Sequence, residues 1–351
     1  MNKHIVNVPG YQAPLKMKKS AFLIVIILLA LSVYVQAAPK NFTGLFNTSS
    51  TTDDDPVTES PVSLKTMGST LSGTLAMPKN ATGKVPVVLI IAGAGSVDRD
   101  GNSDNADLHA DTYRQLAYAL GKAGIASLRY DKRLVGKSTS GDKEKNLSFE
   151  DYVDDATSLL NMLAEDERFS KIIIAGHGQG SLVGMIATNE EPIKGFISLE
   201  GAGEPEFTML TNAMKSEPEY KANDIKRMLD SLKRGKTWDN IDLSLYSIAR
   251  PSIQPFIMSW CRYDPQREIK KLKMPVLIIQ GTTDLEVGVS NGAKLKMGKS
   301  NAIYAVVRGM NFVLRDAPDD KEKNLATYKD PNLPLNQEMV KDVVDFIQGL
   351  K

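Results

Sequence analysis

Apolar residues in this chain gather into short runs separated by longer amphipathic stretches. Val85–Ile91, Ile125–Tyr130, Ile172–Ala175, Phe196–Leu199, Val276–Gln280 and Ala302–Val307 have strand length and draw mainly on Val, Ile, Leu and Ala. As a set they lack the polar–apolar alternation of half-solvated strands, so both of their faces are expected to be covered. Between them, Asp107–Lys122, Phe149–Leu163 and Asn336–Gln348 carry apolar residues at helical spacing, with Ser148 placed to cap the second. Val62–Met67 and Leu71–Met77 read as two further strands joined near Gly68-Ser69. Strands alternating with helices predict an α/β fold, a mostly parallel central sheet flanked by helices.

The pattern breaks between Gly201 and Pro265. Glu217–Lys233 is a charged helical run, and Pro251, Pro255 and Pro265 punctuate the segment after it. We read residues 202–265, approximately, as a cap inserted over the carboxyl ends of the strands, where open α/β sheets bind ligands.

Composition narrows this picture. The chain has 351 residues, 42% of them hydrophobic, enough for a large core. Its net charge of +1 gives no electrostatic reason to expect nucleic acid as a partner. Cys261 is its single cysteine, so no disulfide can form within it. Lys16, Lys18 and Lys19 precede an apolar run from Ala21 to Val35, and Val35-Gln36-Ala37 fits a small-residue cleavage site. Residues 1–37 therefore read as a signal peptide, with Met17 an alternative start, and the chain as exported, periplasmic or secreted. The alternative is an uncleaved membrane anchor at residues 21–35. Residues 38–61, rich in Ser, Thr and Asp from Asn41 on, read as a flexible linker before a domain spanning 62–351.

From Lys171 to Ser181 a buried strand runs into glycines at alternate positions, Gly176-His177-Gly178-Gln179-Gly180, and then into a helix-compatible stretch. This resembles the G-x-S-x-G nucleophile elbow of the α/β-hydrolases, with Gly178 where that family carries serine. Further segments are similar to bacterial carboxylesterases of that superfamily, of the branch holding EstD-like esterases and serine-aminopeptidase-like hydrolases. They include Ala92–Asn102 and Arg129-Tyr130-Asp131-Lys132-Arg133, the latter with Leu134 where glycine is usual. Pro275–Asp284 resembles the strand that delivers the acid, and Gly309–Leu314 the histidine loop, with Phe312 in place of histidine. The resemblance spans roughly residues 62 to 350 and implies the α/β-hydrolase fold.

It also implies a triad in the order Ser…Asp…His. Here Asp284 keeps the acid position, Gly178 occupies the nucleophile position and Phe312 the base position. A serine hydroxyl attacks only once an imidazole takes its proton, and no histidine follows His177 in the chain. Ser181 sits three residues past the turn, His177 is expected to pack beneath it, and His109 to lie on a solvated helix. Backbone donors do not depend on side chains, so an oxyanion hole from Gln179 and the loop at Ala94 and Gly95 is expected to persist. Gly93-Ala94-Gly95 lacks the third glycine of a dinucleotide loop, and no cofactor or metal site is read. The expectation is a catalytically impaired hydrolase relative that binds a small acyl or carbonyl ligand or a protein partner. The competing expectation is an active ester or amide hydrolase built on Asp284, Asp264 or Cys261 with water.

Overall fold

In a computed structural model of the chain, residues 55–188 and 192–351 are described. The stretch read as a signal peptide, residues 1–37, and most of the one read as a linker lie outside them. Eight strands carry the architecture: β1 (Val57–Thr66), β2 (Ser69–Pro78), β3 (Val85–Ile91), β4 (Ala126–Tyr130), β5 (Phe169–His177), β6 (Gly195–Leu199), β7 (Val276–Gly281) and β8 (Ile303–Val307). Their order across the sheet is β1-β2-β4-β3-β5-β6-β7-β8. The hairpin β1–β2 and the pair β2–β4 are antiparallel, and every later neighbour is parallel.

The helices, in chain order, are α1 (Thr112–Lys122), α2 (Phe149–Ala164), α3 (Gln179–Ala187), α4 (Glu206–Ala213) and α5 (Glu219–Leu232). They continue with α6 (Gln254–Trp260), α7 (Pro265–Lys271), α8 (Ser290–Gly298), α9 (Lys321–Ala326) and α10 (Gln337–Gly349). Successive strand residues feed opposite cores. Val88, Ile90, Ile173, Ile197 and Leu277 join the apolar layer under α1 and α10. Val87, Leu89, Ile172, Phe196 and Ile278 join the layer under α2, α3, α7 and α8. Burial on both faces is why these strands read as continuous apolar runs.

Two boundaries differ from the sequence reading. β1 starts at Val57, so the linker cannot extend to residue 61. Val57 is fully buried and every residue from Val57 to Thr66 pairs with β2. The polar Thr58, Glu59 and Ser60 conceal that pairing because an outer strand can leave polar side chains in solvent. The helix read from Asp107 begins only at Thr112, because Asp107 and Asp111 adopt positive φ and Asn102–Ser103 pairs with Leu108–His109.

The insertion between β6 and β7 has a core of its own, built on residues such as Leu210, Ile225, Met228, Leu229, Leu245 and Ile253. It docks on the N-terminus of α2. The Phe149 ring stacks on Trp260 at 5.9 Å with 6° between planes, and the Phe149 N–H donates to Ser259 Oγ at 2.7 Å. Arg250 pairs with Glu144 beside this contact.

Candidate functional site

The site grows out of the turn between β5 and α3. Gly178 adopts φ 51° and ψ −116°, a conformation that costs any other residue of the order of 1–3 kcal/mol. The flanking glycines are required by close approach. A Cβ on Gly176 would stand 2.3 Å from the Gly180 carbonyl oxygen, and one on Gly180 2.3 Å from the Ile91 oxygen. The chain therefore keeps the sharp strand–turn–helix geometry, with no side chain at its apex.

The residues at the nucleophile and base positions meet. A Cβ built on Gly178 would lie 3.0 Å from Phe312 Cζ, 3.3 Å from Phe312 Cε2 and 3.8 Å from Gly93 Cα. Phe312 is only 6% exposed. Its phenyl ring thus crowds the start of any side chain on residue 178, and Gly93, just before Ala94 and Gly95, passes beside the same point. Gln179 opens α3, whose first residues lack i−4 carbonyl partners within the helix, though the Ser181 N–H donates to the Gly178 carbonyl at 3.1 Å.

His177 lies under the turn, as its place in the motif suggests, and ties three segments together. Its Nε2 is 2.8 Å from the Phe312 carbonyl oxygen and its Nδ1 2.8 Å from Tyr113 Oη. A carbonyl only accepts, so Nε2 carries a proton. Burial pushes the His177 pKa down to about 4, so Nδ1 is unprotonated near neutrality and accepts from the Tyr113 hydroxyl. Tyr113 Oη in turn accepts from the Gly93 N–H at 2.9 Å. One neutral imidazole thereby links the loop after β3, helix α1 and the loop after β8. With both nitrogens engaged in this way, it is not presented as a free base.

Asp284 follows β7 and accepts from the N–H groups of Glu286 and Val287 at 2.7 and 2.9 Å. Around it are Glu200 and Glu286, both buried. Glu200, at φ 48°, accepts from the Gly281 N–H at 2.7 Å, and the Gln280 amide donates to both Glu200 and Asp284. Burial first, then the Asp284 charge, drives the pKa values of Glu200 and Glu286 well up, and burial raises that of Asp284. The Thr283 N–H donates to the Met310 carbonyl, so the loops of the acid and base positions are stapled together.

The other candidates separate from this cluster. Ser181 is buried in α3 and bonded to Ser198 Oγ at 2.8 Å. The His109 side chain is exposed, 3.8 and 3.9 Å from the carboxylates of Asp107 and Asp104. Asp264 caps α7 by accepting from the Gln266 N–H. The Cys261 thiol is pushed up to about 12, first by burial and then by Glu206. It is therefore not a thiolate nucleophile near neutral pH. Among the described residues no group of three or more His, Cys, Asp or Glu side chains could hold a metal ion.

Several participants were not read from sequence. Tyr113 carries no signal beyond its helical spacing. Glu200 had one: a carboxylate directly after a buried strand and before Gly201-Ala202-Gly203. The segment Arg129–Arg133 proves to be an ionic hub. Asp131 receives Arg99 at 2.6 Å, Arg129 pairs with Glu59 and Asp100, and Arg133 with Asp151 and Asp155. Leu134, which replaces the usual glycine, keeps a glycine-like φ of 61°.

The strand order, elbow and flanking helices are those of the α/β-hydrolase fold. Residues 106–230 match the family model described as serine aminopeptidase, S33. No curated protein matches the chain. Among solved structures it is similar to Est1E from Butyrivibrio proteoclasticus with ferulic acid bound. That match has 20% identity and a TM-score of 0.54, and covers 80% of this chain and 99% of that one. It is also similar to the esterase Pf2001 of Pyrococcus furiosus, at 17% identity and TM-score 0.55, covering 91% of this chain and 99% of that one. The chain thus has the α/β-hydrolase fold, and residues 106–230 carry the family match.

Proposed function

We propose that this chain is an exported α/β-hydrolase that no longer performs acyl transfer through a triad and acts by binding, its most accessible ligand class being small acyl or carbonyl compounds. The observation that carries the reading is the Phe312 ring beside Gly178, with Cζ 3.0 Å from where a nucleophile's Cβ would begin. Loss of serine removes the attacking oxygen, and loss of histidine removes its base. The phenyl ring also crowds the point where a side chain on residue 178 would begin. The acyl or carbonyl class is supported by the retained elbow backbone, whose N–H groups suit a carbonyl oxygen. Ferulic acid, bound in the Est1E structure, is a reasonable first compound to try.

The alternative of an active enzyme on a different constellation is less well supported. Cys261 is held as a thiol and Asp264 serves as a helix cap. The test is hydrolysis of p-nitrophenyl acetate by the wild type, Asp284→Ala, Gly178→Ser, Phe312→His and the Gly178→Ser/Phe312→His pair. The expected result is a wild-type rate no more than about 10³–10⁴-fold above the uncatalysed reaction, the residual acceleration that an oxyanion hole and binding alone leave, and insensitive to Asp284→Ala. The paired substitution should exceed either single one, because triad members act as a unit. Wild-type turnover at triad level that collapses in Asp284→Ala would overturn the reading.

A further inference from the structure

The cap contains a cavity that the elbow does not use. It lies between α4 and α5, about 320 Å³ in volume, at the lower end of the range for small-ligand pockets. Phe207, Met214, Ile225 and Leu229 supply apolar surface to it. Its charged lining is unequal, with the ammonium groups of Lys215, Lys226 and Lys233 against the single carboxylate of Asp230. Lys226 is paired with that carboxylate at 2.8 Å. Lys233 reaches from the end of α5 back over the Phe207 ring, with Nζ 3.6 Å from the ring centre. An ammonium group is thereby held at the edge of an apolar hollow. The nearby acids of α5 and its approach have partners of their own. Glu217 lies 3.2 Å from Lys221 and Asp224 lies 3.7 Å from Arg227.

An apolar floor under an excess of cations selects for a molecule with the opposite layout. We propose that this cavity binds a single-chain carboxylate, its hydrocarbon against Phe207, Met214, Ile225 and Leu229 and its carboxylate paired with Lys233 and Lys215. A neutral chain would gain only the apolar contact, and a cationic head would meet the ammonium groups of Lys215 and Lys233. The site is built entirely by the cap, so it does not depend on the elbow being open or on the roles of Gly178 and Phe312.

The test titrates the full chain calorimetrically with decanoate below its aggregation threshold, beside decanol and decyltrimethylammonium. Fluorescence of Trp238, which packs on the cap's core, gives a second readout. The expected result is saturable decanoate binding with one site, weaker decanol binding and none for the cation. Lys215→Glu/Lys233→Glu should weaken decanoate by about tenfold or more while leaving decanol binding in place, which shows the cap still folded. Lys215→Arg/Lys233→Arg should retain decanoate. Absence of saturable decanoate binding, equal binding of decanoate and decyltrimethylammonium, or unchanged affinity in the double Glu variant would overturn the proposal.

Discussion

At the scale of single residues, Gly178 and Phe312 form one unit. The backbone at 178 is in a conformation that only glycine adopts cheaply, and the phenyl ring fills the space next to it. Gly178→Ser should therefore destabilise the fold by about 1–3 kcal/mol from the backbone alone, with a further cost from the ring. Phe312→His alone should cost less, since some bulk remains. Combined, the two should destabilise by less than the sum, with a coupling of about 0.5–3 kcal/mol, measurable by urea denaturation of all four proteins. Strict additivity would mean that the ring does not press on residue 178. His177 gives a second test at this scale. Its pKa falls from 6.5 to about 4 on burial, so the fold favours the neutral ring. Its contribution is complete above about pH 6.5 and is lost as pH falls toward 4. In His177→Gln the loss of stability across that window should shrink. Imidazole ¹⁵N shifts should show Nδ1 unprotonated at pH 6 in the wild type.

At the scale of elements, the N-terminus of α2 carries both a helix start and the attachment of the cap. The Ser148 side chain accepts from the Asp151 N–H while Asp151 reaches back to the Ser148 N–H, completing a capping box. The next residue's N–H goes to Ser259 of α6. Ser148→Ala should cost about 1 kcal/mol of stability by chemical denaturation. Ser259→Ala should leave the sheet intact but expose the α5–α6 region to limited proteolysis sooner than in the wild type. These elements also show what could be read in advance. Ser148 precedes a periodic apolar run, and Gly176, Gly178 and Gly180 follow a β-branched one, so local chemistry marked the cap and the elbow alike. Val57–Pro61 was missed because its side chains are mostly polar while its backbone is paired throughout. The insertion was legible as a break in the pattern, but its separate core was not, since Leu210, Ile225 and Ile253 meet only after the chain has folded back. The same holds for the site. Gly178, Phe312 and Asp284 follow from motif order, whereas the Tyr113–His177–Phe312 chain needs three segments distant in sequence to converge.

At the scale of the whole molecule, the carboxyl ends of β6 and β7 are joined to the C-terminal loops by acids rather than by ion pairs. Glu200 follows β6, Asp284 and Glu286 follow β7, and Tyr328 lies beside Glu286. Asn324 donates to the Thr283 carbonyl and Asn311 reaches Asn324 and Thr327, extending the network to the loop that carries Phe312. Burial and mutual repulsion favour the protonated carboxyls, so their folded pKa values exceed their unfolded ones. The folded state then binds more protons, and stability falls as pH rises from the ordinary carboxylate range through the raised values. The wild-type curve alone does not isolate this effect. Buried Lys132, lowered to about 7 by desolvation, contributes with the opposite slope above that pH. Comparison with Glu286→Gln removes the common terms. A protonated carboxyl and an amide have similar shape and polarity, so the two proteins should melt together near pH 4.5. As pH rises through the raised value, the wild type must come to hold a buried carboxylate at Glu286. Above that value Glu286→Gln should melt higher, by roughly 2–4 °C for each kcal/mol of charge burial relieved. A gap between the melting temperatures that stays constant from pH 4.5 to the most alkaline pH at which both proteins fold would show that Glu286 does not change protonation in the folded protein. The acids after β6 and β7 would then be held together by hydrogen bonding alone.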